Sequence, residues 1–205
     1  MIAIIDYGMG NLQSVRNAFA KVGYQAEIVG DPERLKTADR VVLPGVGAFG
    51  AAMDQLERSG LLPAIKDFIK TGKPFLGICL GLQLLFTCSE EVFGPETMPK
   101  GLDFISGTVR RFPEMGLKVP QIGWNRLQFK QPSPLWKGLE EGVYTYFVHS
   151  YYVDPLQSSD VLCTSDYGIE YCAGIQRENV MAVQFHPEKS SRVGLTMLKN
   201  FGEID

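Results

Sequence analysis

The sequence predicts an α/β fold: a central, mostly parallel sheet with helices on both faces, plus an antiparallel β region added in the second half. Three features carry that expectation. Short unbroken apolar runs alternate with helix-period segments through the first 90 residues, the pattern of doubly buried strands and their crossover helices. Glycine-containing turns follow several of those runs. Beyond about residue 90 the texture changes to Gly, Pro and short β-rich runs, which read as antiparallel strands and hairpins folded onto one side of the parallel sheet.

Ile2–Ile5 reads as the first buried strand. The turn Asp6-Tyr7-Gly8-Met9-Gly10-Asn11 leads into a helix on which Leu12, Val15, Phe19 and Val22 keep the 3.6-residue period. Gln25–Val29 is the second strand, ended by Asp31-Pro32, and Arg40–Leu43 is the third. Pro44-Gly45-Val46-Gly47 follows as a loop, because a residue before proline avoids helical backbone angles. Helices are expected from about Phe49 to Glu57 and from Leu61 to Ile69, the second stopped by Gly72. Pro74–Ile78 is the next strand, and the apolar run Leu80–Phe86 reads as the helix after it. Later strands are expected over Gly107–Phe112, Gly123–Phe129, Val143–Val153, Val161–Ser165 and Glu170–Gln176. Val180–Phe185 returns to a buried strand, and a last helix starts at Ser190 or Ser191 with serine as its N-cap. Without repeats, low-complexity tracts or linkers, residues 1–205 are expected to form a single domain.

Composition narrows the function classes. The chain is 45% hydrophobic with a net charge of −3, an ordinary globular balance. Lys and Arg total 20 against 23 acids, with no basic cluster interleaved with aromatics, so no nucleic-acid partner is expected. Apolar runs break after about eight residues where a span needs about 20, so no membrane partner is expected either. The chain enters a strand at once, without a leader pattern. The four cysteines show no C-x-x-C and no dense framework. A reducing, cytoplasmic location is the expectation.

Cys79 is the residue that points to chemistry. Gly77-Ile78-Cys79-Leu80-Gly81 is a G-x-C-x-G elbow between strand and helix, the thiol counterpart of the G-x-S-x-G nucleophile turn. Glycine on each side allows so tight a turn that the side chain between them is held out at the sheet edge. The helix that follows presents free N–H groups and the positive end of its dipole, which favour a thiolate.

A base is easily sought among two histidines. His186 lies just past the Val180–Phe185 strand, in His186-Pro187-Glu188. Residues two apart in an extended segment point the same way, so Glu188 can orient the imidazole of His186. A nucleophile, a base and an orienter result. His149 lacks a carboxylate two residues away and reads as a packed or substrate-lining histidine. The N–H of Leu80 is one expected oxyanion donor, and Pro44-Gly45-Val46-Gly47 the best source of a second. Gly8-Met9-Gly10 is not G-x-G-x-x-G and lacks the acid that a dinucleotide site needs, so no nucleotide cofactor is expected. No other cofactor and no metal is expected.

The elbow, the proline–glycine loop and the His-Pro-Glu segment together resemble those of class I (triad-type) glutamine amidotransferases. A narrower resemblance, to the glutaminase subunits of imidazole glycerol phosphate synthases of histidine biosynthesis, runs nearly the whole length. It rests on Asp6–Leu12, Leu43–Phe49, Gly77–Leu85, Gly123-Trp124-Asn125, Tyr146–Tyr151 and Phe185–Ser190. That family implies a flavodoxin-like sheet and a reaction in which Cys79 attacks the side-chain amide of L-glutamine, giving a thioester and ammonia. His186 would carry the protons and Glu188 would orient it. Gln83, Ser150 and Tyr151 would line the glutamine pocket, while Val46, Gly47 and Leu80 would serve the oxyanion. The resemblance further implies a heterodimer with a (β/α)8-barrel cyclase subunit, faced by Trp124, Asn125, Tyr146 and Lys189. One departure is Gln121, where the family commonly has His, which leaves open the interface near Trp124. Other readings remain: the glutaminase subunit of another amidotransferase, a free-standing cysteine hydrolase of the same fold, or a regulatory subunit with a decayed site.

Overall fold

The computed structural model describes residues 1–92 and 97–204. Its first half alternates strand and helix: β1 (Ile2–Ile5), α1 (Leu12–Lys21), β2 (Ala26–Val29), α2 (Pro32–Lys36), β3 (Arg40–Gly45), α3 (Phe49–Arg58), α4 (Leu61–Lys70) and β4 (Phe75–Cys79). A single turn, α5 (Leu80–Gln83), leads to β5 (Phe86–Ser89), β6 (Ile105–Arg111), β7 (Gln121–Arg126) and β8 (Gln128–Phe129). Then come β9 (Tyr144–His149), β10 (Tyr151–Pro155), β11 (Val161–Asp166), β12 (Glu170–Arg177), β13 (Val180–Val183) and α6 (Ser191–Glu203).

The parallel core runs in the order β2-β1-β3-β4-β13. Strand alternation divides its side chains between two cores. Ala3, Ile5, Val41 and Leu43 face α3 and α4, whose Phe49, Ala52, Leu56, Leu61, Ile65 and Phe68 keep helical spacing. Ile2, Ile4, Val42, Leu76 and Val183 face α1 and α6, through Val15, Phe19, Met197, Leu198 and Phe201. Each large side chain sealed there contributes roughly 2–3 kcal/mol of transfer free energy. Helices therefore cover both faces, as the apolar strand runs predict.

The second half differs from expectation in how it attaches. Its strands continue the same sheet edge to edge rather than lying on one side of it. β12 runs antiparallel beside β13, followed by β10 and β6, and β5 adds parallel to β6. Pairing along the β13 edge satisfies its backbone N–H and C=O groups, which stacking would leave open. Among the described residues, only β7 and β9 form a separate antiparallel ribbon.

Four local expectations need correction. The run after Cys79 is helical only to Gln83, and Phe86 already begins β5, because Leu84-Leu85-Phe86 is apolar at every position and carries no period to separate helix from strand. Pro44 and Gly45 belong to β3, paired with Ile78 and Cys79, so the loop shrinks to Val46-Gly47. Asp31-Pro32 does not merely end a strand: Asp31 caps α2 by accepting the Glu33 N–H at 3.0 Å. Ser190 occupies the N-cap position of α6 without capping it. Its hydroxyl donates to the His186 carbonyl at 2.6 Å and accepts from the Tyr146 N–H at 2.9 Å.

Close approach explains the two elbow glycines. A Cβ on Gly81 would lie 1.8 Å from the Leu43 carbonyl oxygen, and one on Gly77 would lie 2.8 Å from Ala182 Cβ. Gly81→Ala is therefore expected to lose about 3 kcal/mol of stability in urea unfolding, because backbone rather than a flexible side chain must move. A loss below about 1 kcal/mol would show that α5 can part from β3 at little cost.

Candidate active site

The three central parallel strands end side by side. Gly45 pairs with Cys79, Val183 pairs with Ile78, and the chain leaves all three strands at the carboxyl edge of the sheet. Ligands in open parallel sheets bind at that edge. Cys79 takes φ 56° and ψ −110°, a left-handed conformation that costs a non-glycine residue about 1–3 kcal/mol. Pairing of β4 on both sides and the tight packing at Gly77 and Gly81 hold it there. Leu80 opens α5, so its N–H has no acceptor within the helix. With one helical turn behind it, the elbow offers those free N–H groups but little of the macrodipole expected from a longer helix.

His186 reaches the same edge from β13. Its backbone N–H donates to Tyr146 O at 2.9 Å, and Pro187–Lys189 forms a 3-10 turn that brings Glu188 back beneath it. The imidazole Nδ1 lies 2.8 Å from Glu188 Oε1, with both side chains at most 4% exposed. That carboxylate keeps the proton on Nδ1 and leaves Nε2 for chemistry. Nε2 is buried and makes no hydrogen bond among the described residues. Burial pushes the His186 pKa down, but the sulfur of Cys79 and the Glu188 carboxylate together outweigh it and raise the value to about 10. No hydrogen bond of ordinary geometry joins Nε2 to the sulfur, so the influence of Cys79 is that of a near neighbour.

A cavity of about 270 Å³ opens at this point. Of the residues singled out in the sequence, Val46, Gly47, Cys79, Leu80, Gln83, Ser150, Tyr151 and His186 all line it. Gly47 has φ +104°, and a Cβ there would meet the Met9 methyl at 2.7 Å. Tyr7 braces the adjoining strand end, donating its hydroxyl to Pro44 O at 3.1 Å. Burial, then negative charge at Cys79, pushes the Tyr7 pKa up and keeps the phenol a donor. A wider hollow of about 640 Å³, between α3 and residues 97–100, contains neither nucleophile nor histidine.

Two residues at the site escaped the sequence reading. Glu91 lines the cavity and accepts the Phe49 N–H at 2.7 Å. Its only signal was an acid pair just after an apolar run. Gln184 is fully buried and aims its amide at Cys79 Sγ, 3.7 Å away. The two-residue alternation that led from His186 to Glu188 leads equally back to Gln184.

His149 is both packed and cavity-lining. Its ring sits among Phe112, Phe147 and Tyr171, and its Nδ1 lies 2.8 Å from Tyr151 O. Gln121 is buried, not on the outer surface near Trp124. Its amide lies 3.1 Å from His149 Nε2 and accepts the Tyr171 hydroxyl at 2.9 Å. The departure at Gln121 therefore bears on the floor behind the cavity, because pairing with His149 turns it inward.

The outer face of the β7–β9 ribbon carries exposed Ile122, Trp124 and Tyr144, with Tyr146 against Trp124 at 6.1 Å between ring centroids. Lys189 is exposed nearby. Asn125 points the other way, its amide donating to Asp166 O at 2.6 Å. Val148 belongs to both the outer face and the cavity wall, so the two are continuous.

A nucleophile elbow, a carboxylate-oriented histidine and a glycine loop on this sheet define a class, and the chain belongs to it: the class-I glutamine amidotransferases, whose family model matches residues 3–204. The same architecture appears in a solved glutamine amidotransferase at a TM-score of 0.74 and 20% identity, covering 98% of this chain and 100% of that one. PurLQS from Thermotoga maritima aligns at 0.73 and 18%, covering 98% and 95%. Within the class, the chain is a member of the HisH family, named for subunit HisH of imidazole glycerol phosphate synthase. It is 55% identical to that subunit of Syntrophotalea carbinolica, covering 100% of both chains. The Moorella thermoacetica subunit is 52% identical, with 99% and 94% covered, and that of Methanothermobacter thermautotrophicus 53%, with 100% and 98% covered.

Burial pushes the His149 pKa down to about 4, against a smaller upward pull from its bond to Tyr151 O, with His186 lowering it further. Between pH 6.5 and 4 the unfolded chain takes up a proton that the folded chain refuses, so stability falls as pH falls. The full loss is on the order of 3 kcal/mol. His186 does not contribute in that window, being protonated in both states; its stabilisation is lost only as pH rises from 6.5 through about 10. Urea unfolding of wild type and His149→Gln at several pH values checks this. The variant should lose less stability on acidification, and equal losses would contradict the assignment.

Proposed function

We propose that the chain is the glutaminase subunit of an imidazole glycerol phosphate synthase. It hydrolyses L-glutamine to glutamate and ammonia and passes the ammonia to a (β/α)8-barrel cyclase subunit, which makes imidazole glycerol phosphate and aminoimidazole carboxamide ribotide for histidine biosynthesis. The observation that carries the reading is the single cavity joining Cys79, the His186–Glu188 pair and Gly47. Similarity over the full length to HisH subunits supports the choice of substrate and pathway.

Cys79 Sγ attacks the amide carbon of glutamine, and the displaced electron pair moves to the oxygen. The N–H of Leu80 and an N–H of the Val46-Gly47 segment stabilise that oxyanion, each at about 2.7–4 kcal/mol in the transition state. His186 gives its proton to the departing amine, and ammonia leaves a thioester on Cys79. It then takes a proton from water, which attacks the thioester and releases glutamate. Glu188 holds the imidazole through both transfers. Among the described residues that line the cavity, Glu91 supplies the carboxylate and receives the α-ammonium group of the substrate, with Gln83 also on the wall.

The apolar face bearing Ile122, Trp124 and Tyr144 is the docking surface for the cyclase, with Tyr146 and Lys189 at its active-site end. Asn125 contributes by holding that ribbon to β11. His186 and Ser190 are both bonded to the backbone of Tyr146, so pressure on the ribbon is felt at the base. A free glutaminase wastes substrate, and the Val46-Gly47 segment is the switch that the partner biases. The reaction runs in the cytoplasm; no helix among the described residues is long and apolar enough to cross a membrane.

Cys79→Ala, assayed with the cyclase, should lose at least about a thousandfold in glutamine-dependent synthesis while synthesis from ammonium salts persists. Loss of both activities would make the residue structural. Wild-type glutamine hydrolysis should rise at least about tenfold when the cyclase and its nucleotide ligand are added. Equal rates with and without them would remove the coupling.

A further inference from the structure

We propose that Gln184 is a catalytic hydrogen-bond donor to the sulfur of Cys79, aimed there by Gln83 and, through it, by the backbone carbonyl of Tyr151. The inference rests on the glutaminase reading above and adds a residue to its chemistry.

Hydrogen-bond polarity along the chain of groups is settled at one end. The Tyr151 carbonyl can only accept, so Gln83 turns its NH2 toward it, at 3.2 Å. The same NH2 lies 3.0 Å from Gln184, which must present its oxygen there. Gln184 then has only its own NH2 to offer on the other side, where Cys79 Sγ lies 3.7 Å away. Reversing Gln83 would set two acceptors against each other, and reversing Gln184 would set its NH2 against the NH2 of Gln83, two donors. Register places the two residues together: β13 and β4 pair up to Val183 and Ile78, and the next residues are Gln184 and Cys79. Gln184 is fully buried, and its backbone N–H donates to Ala173 O at 2.8 Å, so the side chain has little freedom to leave.

The chemistry gives such a donor a task in the second half of the cycle. When water attacks the thioester, the C–S bond breaks and its electron pair returns to sulfur as thiolate. A neutral amide N–H stabilises that developing charge without giving up its proton. A thioester sulfur is a weaker acceptor than a thiolate, so the bond strengthens toward the deacylation transition state. Gln83 takes part only as the aiming group, since both its N–H bonds are already committed.

The test uses the full complex with the cyclase and two variants. Gln184→Glu keeps the shape and the oxygen that accepts from Gln83 but removes the donor, and Gln184→Met removes both. Glutamine-dependent kcat should fall at least about tenfold in each, the rate equivalent of one hydrogen bond to a charged group. KM for glutamine should stay within about twofold, and ammonium-dependent synthesis should not change. Rapid quenching and mass spectrometry should find a larger fraction of Cys79 as thioester than in wild type, because release has become slow. The Glu variant should also regain activity relative to wild type as pH falls and its carboxyl acquires a proton to donate. A kcat within about twofold of wild type, or a thioester fraction that falls with kcat, would overturn the proposal. If wild type with the cyclase releases no glutamate from glutamine, the glutaminase reading fails and takes this inference with it.

Discussion

The ladder of backbone hydrogen bonds joining β3, β4 and β13 sets the height at which Gly45, Cys79 and Gln184 leave the sheet. Pairing of Gly45 with Cys79 and of Val183 with Ile78 brings three distant parts of the chain to one edge within a residue of each other. A one-residue slip of β13 would turn His186 and Gln184 away from the sulfur, since side chains alternate between faces. The cavity, the strained backbone of Cys79 and the nearness of the His186 imidazole to the sulfur all follow from that shared level. The register is held in turn by burial, because Met181 and Val183 pack on one face and Val180 and Ala182 on the other.

Small residues are the second condition. α5 approaches the sheet so closely that its Gly81 nearly touches the Leu43 carbonyl, with Gly77 and Ala182 making room beneath. Any branched side chain there would lift the helix and with it the N–H groups at its start. The same economy operates on the ribbon, where β9 sends Thr145, Phe147 and His149 inward and Tyr144, Tyr146 and Val148 outward. One strand thus supplies the core, the cavity wall and an exposed apolar face.

Much of this was legible in the sequence because the informative groups are local. Glycines at Gly77 and Gly81 flank the nucleophile, and Glu188 sits two residues from His186, so spacing alone brought them together. The alternating first half was equally readable from the spacing of Val15 and Phe19 and of Leu61, Ile65 and Phe68. What failed depended on partners far away in the chain. Leu84–Phe86 is apolar throughout, and only pairing of Phe86 with Ile105 decides that a strand starts there. Whether the second-half strands stack on the sheet or extend it depends on the free edge of β13, which no local pattern records. The departure at Gln121 leaves the interface near Trp124 open, and only its pairing with His149 shows that the side chain turns inward. Alternation from His186 could place Gln184 on the right face, but the aim of its amide depends on a carbonyl 33 positions earlier, at Tyr151.

The place of β13 between β4 and β12 has a consequence for the order in which the molecule can be made. β4 is buried along its whole length, yet the strand that covers one of its edges is translated about a hundred residues later. While the nascent chain emerges, the Phe75–Cys79 segment has β3 on one side and an open row of N–H and C=O groups on the other. That edge invites wrong pairing until Val180–Val183 arrives to fill the gap. The delay also withholds the site: the thiol of Cys79 exists early, but His186 and Gln184 arrive with the strand that seals the sheet. Closing the fold and assembling the site are a single event.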